Sequence, residues 1–163
     1  MKFNIQQTEL NTALQHLVRN TDNKFFADIK MTTIGSQLIL QATNGEVSME
    51  YRLQANTSDT DTILINARKF TDIVSRLSGD ITFNDGVIKA GKSKLKIDLK
   101  RDEGYQFINT IEADTITLNI KELQTGIKNR LFACVTMAQN VLSGVCLNKD
   151  EIVTCNGNML AKY

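Results

Sequence analysis

The chain has 163 residues, of which 42% are hydrophobic and 23% charged, and its formal net charge is +1 at pH 7. These values are typical of one or two globular domains, so they exclude a wholly disordered chain. No apolar run approaches the roughly 18 residues that span a bilayer, and the amino terminus MKFNIQQTEL has no hydrophobic signal core. We therefore expect a cytoplasmic protein.

The chain repeats one pattern three times, and we call each copy a β-α-β-β-β module. In each module a short strand leads directly into a helix, and alternating stretches follow. The predicted first strands cover residues 3–5, 62–66 and 116–120, and the helices after them cover 9–18, 67–77 and 121–133. The alternating stretches lie within 27–53, 81–99 and 141–163. Residues 101–114 break the periodicity and are predicted to be a linker.

Each predicted helix has one apolar stripe and one polar face. The stripes consist of Leu10, Ala13, Leu14, Leu17; Phe70, Ile73, Val74, Leu77; and Leu123, Gly126, Ile127, Leu131. In the strands, alternation predicts inward positions at Leu38, Leu40, Ala42, Val47, Met49, Tyr51 and Leu53. Turn signals rich in Asn and Gly separate strands at 43–45, 84–86 and 156–158. The pattern predicts an α+β fold with antiparallel sheets on one side and helices on the other.

The string GVIKAGKS at residues 86–93 matches the G-x-x-x-x-G-K-[ST] phosphate-loop pattern. A phosphate loop needs a strand before it and a helix after it, so that backbone N–H groups converge on the phosphates. Residues 94–100 instead alternate with period two, which predicts a strand. Its solvent-exposed face would hold Lys94, Lys96, Asp98 and Lys100. We therefore predict a hairpin. An NTP-binding enzyme is the alternative interpretation, and nucleotide binding tests it.

The composition offers little for metal or nucleophile chemistry. Cys134, Cys146 and Cys155 are odd in number and lack the close pairs of zinc sites, so we expect reduced and mostly buried thiols. His16 is the only histidine, which confines any Ser-His-Asp chemistry to that residue. We predict no cofactor, no metal and no enzymatic activity.

Positive charge is concentrated on the predicted helices. Residues 8–21, 68–78 and 121–133 hold seven basic and three acidic residues, whereas the remainder holds twelve basic and fifteen acidic ones. A basic helical surface suits a polyanion, and its contacts to phosphate would be independent of sequence. No aromatic residues are interleaved for single-strand stacking, so duplex DNA fits better. A solvated helix face explains the same charges without a partner.

Four stretches carry a resemblance to a known family. They are MKFNI at 1–5, ARKF at 67–70, GKSKL at 91–95 and LSGV at 142–145, and their order and spacing agree along the whole chain. In these residues the chain resembles the sliding clamp family, the β subunit of bacterial DNA polymerase III. The resemblance implies two modules per clamp domain, with residues 1–113 as a first domain and 114–163 as the first half of a second.

The resemblance also implies a function without catalysis. In the family, two protomers close into a ring around double-stranded DNA, with helices lining the hole, and this processivity factor serves DNA polymerase III and the clamp loader. A complete ring has twelve modules and this chain carries three. We therefore expect an amino-terminal, truncated form, whose half domain is either mobile or pairs with the same half of another chain.

The resemblance suggests positions for DNA contacts. Lys24 falls where the family has a basic contact, Arg76 lies one residue out of register with a second, and Gln139 and Asn140 match a DNA-touching loop whose aromatic residues are missing here. With the helix cations, the predicted DNA-binding set is Lys24, Arg19, Arg68, Lys69, Arg76, Lys128, Arg130, Gln139 and Asn140.

Family members also hold a short linear peptide in an apolar pocket between their second and third domains. The matching positions here are Leu142, Cys155, Gly157, Asn158, Met159 and Leu160. The family's usual Asp-Gly-His-Arg-Leu-Ala reads Asn-Gly-Asn-Met-Leu-Ala at 156–161, so we expect weak or missing peptide binding. A further alternative is a clamp-like interaction module that does not encircle DNA, which retention on circular against linear DNA would distinguish.

Overall fold

The computed structural model describes residues 1–21, 25–57, 59–102, 104–105, 107, 117–135, 141–148 and 151–163. The chain divides into two compact units, Met1–Thr110 (unit 1) and Ile111–Tyr163 (unit 2). The predicted domain boundary at 113 falls outside the described residues and stays a prediction. The α+β class with antiparallel sheets is confirmed.

Unit 1 contains the first two modules. Its helices are α1 (Gln7–Leu17), which continues into a 3₁₀ turn at Val18–Asn20, and α2 (Ala67–Ser75). Its strands are β1 (Lys2–Gln6), β2 (Asp28–Ile34), β3 (Gln37–Thr43), β4 (Ser48–Gln54), β5 (Asn56–Thr57), β6 (Asp61–Asn66), β7 (Asp80–Asn84), β8 (Val87–Ala90), β9 (Ser93–Lys96) and β10 (Leu99–Lys100).

The two modules of unit 1 exchange their first strands. Strand β1 pairs with β7 of the second module, and β6 pairs with β2 of the first, both antiparallel. Ile5 therefore lies opposite Ile81, and Ile65 lies opposite Ile29. The two five-stranded sheets run β5-β1-β7-β8-β9 and β10-β6-β2-β3-β4. Each module thus completes the sheet of the other, which the repeat alone did not predict.

Apolar stripes on the helices meet the inward faces of the sheets in one core. Leu10 and Leu14 of α1 and Phe70 of α2 are fully buried, as the spacing predicts. The Phe70 ring lies edge-on to Phe83 at 6.2 Å, and Phe83 stacks on Phe3 at 4.9 Å, which joins α2, β7 and β1. These rings and side chains hold the polar face of each helix outward.

The predicted inward strand positions are confirmed in part. Those of β3 are fully buried: Leu38, Leu40 and Ala42. Those of β4, Met49, Tyr51 and Leu53, are half-buried against the core. Val47 is exposed, because it lies in the turn between the strands, where its carbonyl accepts hydrogen bonds from the Asn20 side chain and the Asn44 N–H.

Residues 86–93 form a hairpin and not a phosphate loop, as predicted. Asp85 and Gly86 turn the chain between β7 and β8 with φ angles of 46° and 82°, and Gly91 turns it into β9 with a φ of 54°. A side chain on Gly86 would place a Cβ 2.7 Å from the Ile97 carbonyl oxygen. No helix follows this segment, since residues 93–100 form β9 and β10. The NTP-binding interpretation therefore lacks its structural basis.

Residues 94–100, predicted as one strand, divide between two sheets. Strand β9 is the edge of one sheet, and β10 pairs with β6 at the edge of the other. The break follows from Ile97, whose N–H donates to the Gly86 carbonyl at 2.8 Å and whose side chain enters the core. The exposed positions of Lys94, Lys96, Asp98 and Lys100 are confirmed.

Unit 2 has one helix, α3 (Ile120–Lys128), and one antiparallel sheet of β11 (Cys146–Asn148), β12 (Glu151–Cys155) and β13 (Leu160–Lys162) among its described residues. Short 3₁₀ turns cover Leu131–Ala133 and Val141–Ser143, where a helix end and a strand were predicted. The strand predicted at 116–120 is wrong for its described part, because 117–119 form no strand and Ile120 begins α3. A strand needs a neighbour for its backbone N–H and C=O groups, and no described strand pairs with residues 117–119.

The cysteines differ from their prediction in burial. All three are free, but Cys146 is exposed and Cys134 and Cys155 are only half-buried. In the part of the chain that the structure describes, no helix is both long and apolar enough to cross a membrane.

Candidate nucleic-acid interface

Helix α2 presents three cations on its exposed face. Its buried residues, Ala67, Phe70, Thr71 and Val74, occupy the side that faces the core. Arg68 and Lys69 lie on the exposed side together with Asp72, and Arg76 is exposed directly after the last residue of the helix. The Asn66 side chain caps the helix by accepting the Lys69 N–H at 3.1 Å, which fixes where the helix begins and so the face on which the cations lie.

Helix α1 contributes one cation beyond its own end. The helix contains Glu9 but no lysine or arginine, and Arg19 lies exposed in the 3₁₀ turn that follows. That position is electrostatically suited to a cation, because the carbonyl end of a helix carries partial negative charge. Among the helix-associated residues of unit 1, the cations are therefore concentrated on and directly after α2.

Several cations of the sheets are ion-paired, although Lys89, Lys94 and Lys96 on β8 and β9 form no ion pair with a described carboxylate. On and beside the sheets of unit 1, Lys30 pairs with Asp102 at 2.6 Å and Lys100 with Asp28 at 2.7 Å. Arg52 and Gln41 donate hydrogen bonds to Glu50, which hold the pKa of that carboxyl below its usual value. Six helix-associated cations form no ion pair with any described carboxylate: Arg19, Arg68, Lys69, Arg76, Lys121 and Lys128.

Unit 2 separates its two predicted cations. Lys128 is exposed in the last turn of α3, where the negative helix end favours it. Arg130 instead lies over the Tyr163 ring, 4.4 Å from the ring centre, and its Nε donates to the Lys162 carbonyl at 3.4 Å. A cation held by a ring in this way is less available to phosphate.

A groove beside α2 gathers further charge. It has a volume of about 720 Å³, and its lining includes Lys69 and Arg76 from the helix and Lys96 from β9, together with the carboxylates of Asp72 and Asp98. No local pattern indicates that Lys96 lies near α2, because twenty or more residues separate Lys96 from the helix and only the folding of β9 brings them together.

Three residues of the predicted DNA-binding set, Lys24, Gln139 and Asn140, lie outside the described residues. Among the residues that are described, no group of three or more His, Cys, Asp or Glu side chains could hold a metal ion.

The residues predicted for peptide binding lie on one hairpin and one short turn. Cys155 pairs with Leu160 at the end of the β12–β13 hairpin, and Gly157 turns the chain between them with a φ of 89°. The Asn156 carboxamide oxygen accepts the N–H groups of Asn158 and Met159 at 3.0 and 2.8 Å and fixes this turn. Met159 and Leu160 are exposed, while Leu142 is half-buried in the Val141–Ser143 turn.

Comparisons with known proteins point to one family. The family model for the DNA polymerase III beta subunit, N-terminal domain, matches residues 1–109. The chain is 26% identical to the beta sliding clamp of Staphylococcus aureus over 94% of this chain and 46% of that protein.

Solved structures share the fold over the whole chain. The beta subunit of Streptococcus pyogenes DNA polymerase matches with a TM-score of 0.87 at 22% identity, over 99% of this chain and 49% of that one. The Helicobacter pylori beta clamp bound to a DNA ligase peptide matches with a TM-score of 0.83 at 22% identity, over 100% of this chain and 51% of that one. The chain spans about half the length of the relatives it matches. On the family match over residues 1–109, this chain belongs to the DNA polymerase III beta subunit family through the N-terminal domain of that family.

Proposed function

We propose that this chain is a sliding-clamp processivity factor, or part of one, that binds duplex DNA without sequence preference. The observation that carries the proposal is the grouping of Arg68, Lys69 and Arg76 on and at the end of α2, where all three are exposed and none forms an ion pair with a described carboxylate. Unpaired cations on a fixed helix face can release counterions from the phosphate backbone, which drives sequence-independent binding.

The proposal includes no catalytic step. A clamp acts by holding its partner protein near DNA. It therefore needs cations on a rigid surface, and it needs no catalytic nucleophile, general base or metal ion. Its proposed partners are double-stranded DNA, DNA polymerase III and the clamp loader, and its proposed location is the bacterial cytoplasm, where these partners act.

Peptide binding through unit 2 is a separate part of the proposal. The Helicobacter pylori clamp was solved with a DNA ligase peptide, and the corresponding surface here would include Leu142, Cys155 and the 157–160 turn. We expect this chain to bind such a peptide weakly, because Asn158 and Met159 replace the His and Arg that the family usually has. Fluorescence anisotropy with a labelled peptide measures the affinity, and tight binding would contradict this expectation.

A salt titration of DNA binding tests the central proposal. The affinity for a duplex oligonucleotide is measured by fluorescence anisotropy at several salt concentrations, for the parent chain and for the variant Arg68→Ala/Lys69→Ala/Arg76→Ala. Each lost phosphate contact should reduce the slope of log K against log salt by about 0.9, so the triple variant should lose a slope of about 2 to 3. An unchanged slope would contradict a role for α2.

A matched control removes three exposed lysines from the sheet. Lys89, Lys92 and Lys94 lie on or between β8 and β9, are exposed, and form no ion pair with a described carboxylate. The variant Lys89→Ala/Lys92→Ala/Lys94→Ala loses the same net charge as the α2 variant. It should keep the parent slope, and an equal loss in both variants would show that binding follows net charge and not the helix face.

Retention on circular and linear DNA tests encirclement. A closed ring stays on nicked circular DNA at high salt and slides off linear DNA, whereas a surface-bound module dissociates from both as salt rises. Equal, salt-sensitive loss from both substrates would favour the clamp-like interaction module that does not encircle DNA.

A further inference from the structure

The two sheets of unit 1 differ in their balance of charge. The strands of the β10-β6-β2-β3-β4 sheet hold three basic and three acidic residues, and each of these three cations forms an ion pair. The strands of the β5-β1-β7-β8-β9 sheet hold four lysines and one acidic residue, Asp80. None of these lysines forms an ion pair with a described carboxylate. The second sheet therefore carries positive charge that its own residues leave unbalanced.

The strand registers place this charge on the face of the sheet that points away from the core. Phe3 and Phe83 are buried in the core, and side chains alternate along each strand. The exposed positions between the buried ones therefore share the opposite face. There, Thr82 lies opposite Lys89, and Lys89 lies opposite Lys94. We call this surface the outer lysine face, and its exposed members are Lys2, Asn4, Thr82, Asn84, Lys89 and Lys94.

Two lysines of the outer lysine face oppose each other directly. Lys89 on β8 and Lys94 on β9 are a cross-strand pair. Opposite residues of antiparallel strands have Cβ atoms about 5 Å apart, and like charges in that arrangement destabilise a sheet. A neutral or acidic residue at either position would serve the sheet better. A bound polyanion would remove the repulsion.

Protection of a sheet edge does not account for all of these lysines. Edge strands often carry lysine, and β9 is an edge strand, so Lys94 and Lys96 fit that pattern. Lys89 lies on β8 and Lys2 on β1, and both of these strands have a neighbour on each side. The charge therefore extends across the sheet, over about 14 Å for the three strand spacings from β1 to β9.

A shallow depression beside Lys2 adds neutral hydrogen-bonding groups to this face. It has a volume of about 250 Å³, and its other polar lining residues are Asn4, Asn56, Thr57, Thr82 and Asn84. Amide side chains both donate and accept hydrogen bonds, so they can pair with the N–H and C=O groups of an extended peptide. Phosphate oxygens only accept, so a DNA backbone would leave the amide oxygens without a donor.

We propose that the outer lysine face binds an extended polypeptide segment rich in aspartate and glutamate. Carboxylates of the segment pair with Lys89, Lys94 and Lys2, and its backbone forms hydrogen bonds with the amides of the depression. About four or five residues cover the 14 Å, because an extended chain rises about 3.3 Å per residue. The segment lies on the side of the sheet opposite to the core and its helices, so the proposal does not depend on DNA binding by α2.

An acidic peptide of defined composition tests the proposal. Fluorescence anisotropy at low salt measures the affinity of labelled octaglutamate, with octaglutamine as the neutral control peptide. The variant Lys89→Ala/Lys92→Ala/Lys94→Ala should weaken octaglutamate binding by about tenfold, because it removes two lysines of the face and the exposed lysine in the turn between them. The variant Arg68→Ala/Lys69→Ala/Arg76→Ala loses the same net charge and should change this affinity by less than about twofold. Equal weakening by both variants, or no binding of octaglutamate to the parent chain, would overturn the proposal.

A neutral substitution tests the contact with the peptide backbone. Asn4→Ala leaves the net charge unchanged and should weaken octaglutamate binding by about threefold, since it removes one side chain that hydrogen-bonds the peptide. Gln37→Ala is the matched control, because Gln37 is an amide on β3 of the other sheet. Circular dichroism confirms that all variants fold. Equal affinities of Asn4→Ala and the parent chain would overturn the assignment of this face to a polypeptide.

A labelled single-stranded oligothymidylate of eight nucleotides distinguishes nucleic acid from peptide. We expect its affinity to be unchanged by the triple lysine variant of the sheet. Tighter binding of the oligonucleotide than of octaglutamate, lost in that variant, would assign the face to nucleic acid and overturn the proposal. Amide chemical shifts locate the peptide directly: octaglutamate should perturb residues 82–96, and perturbation confined to 68–76 would contradict the proposed site.

Discussion

The α-ammonium of Met1 lies 2.6 Å from the Oδ2 of Asp61. It also lies 2.7 Å from Asp85 and 3.3 Å from Asp59, so three carboxylates surround it, two from at or just before the start of β6 and one from the turn after β7. Burial disfavours the charged ammonium, but the hydrogen bonds to Asp61, Asp85 and Asp59 outweigh burial and raise the pKa of the amine from 8.0 to about 10. The same contact holds the pKa of Asp61 below its usual value.

The Met1 ammonium therefore makes the stability of unit 1 depend on alkaline pH. A raised pKa in the folded state gives a contribution that is complete below pH 8.0 and is lost as the pH rises through about 10. Because the carboxylates are partly exposed and screened by solvent, we expect a loss of about 1 kcal/mol in the free energy of unfolding. Urea unfolding at a series of pH values measures it. Asp61→Asn should flatten this pH dependence, whereas Asp72→Asn on the exposed face of α2 should leave it as in the parent chain.

Gly86 and Gly91 should differ in their sensitivity to substitution, although both belong to the GVIKAGKS string. Gly86→Ala should cost about 2 kcal/mol or more, since its φ is 82° and the new Cβ would meet the Ile97 carbonyl oxygen. Gly91→Ala should cost about 1 kcal/mol, because its φ of 54° disfavours a side chain but no atom lies within 4 Å of the new Cβ. Thermal unfolding compares the stabilities of the two glycine variants.

The hairpin at residues 86–93 also predicts that the chain does not bind ATP. Calorimetry with ATP should detect no binding to the parent chain, and nucleotide binding that Lys92→Ala abolishes would contradict the hairpin interpretation.

Gly126 lets α3 approach strand β12 closely. Alanine in a helix interior normally gains about 0.5 to 1 kcal/mol over glycine. Here a Cβ would overlap the Ile152 Cδ1 and lie 3.0 Å from the Tyr163 Cδ1, so we expect Gly126→Ala to destabilise unit 2 by about 1 to 3 kcal/mol. Ile152→Val removes the overlapping methyl group. In a double-mutant cycle by urea unfolding, the combined variant should therefore lose less than the sum of the two single variants, and strict additivity would show that the overlap is not the cause.

Tyr105 attaches the end of unit 1 to the sheet β10-β6-β2-β3-β4. Its hydroxyl lies 3.3 Å from the carbonyl oxygens of both Asp28 and Gln41 and can donate to one at a time, and burial raises the pKa of this phenol to about 12. Tyr105→Phe should lower the free energy of unfolding of unit 1 by about 1 kcal/mol, the usual value of one such hydrogen bond. Tyr163→Phe in unit 2 is the control, because it keeps the ring beneath Arg130. Hydrogen exchange at residues 28–41 that is unchanged in Tyr105→Phe would argue against an attachment.

The candidate nucleic-acid interface shows which side-chain positions a local sequence pattern can predict and which it cannot. The exposure of Arg68, Lys69 and Arg76 follows from the stripe on α2, and the sequence predicted it because a helix fixes the direction of each side chain. The sequence also placed Arg130 in the predicted DNA-binding set, whereas in the structure its guanidinium lies over the ring of Tyr163, thirty-three residues away. Contacts at such distances along the chain depend on how strands return, and no local spacing encodes them.

The sequence by itself determined the helices, the strands before them in unit 1 and the Asn-Asp-Gly turn, because periodicity and backbone preference act over a few residues. Only the tertiary structure decided that β1 and β6 exchange partners, that residues 94–100 divide between two sheets, and that residues 117–119 form no strand. The physical reason is the same in all three cases. A strand is completed by hydrogen bonds to a neighbour distant in sequence, and the same alternating residues form a strand or remain unpaired according to whether that neighbour is present.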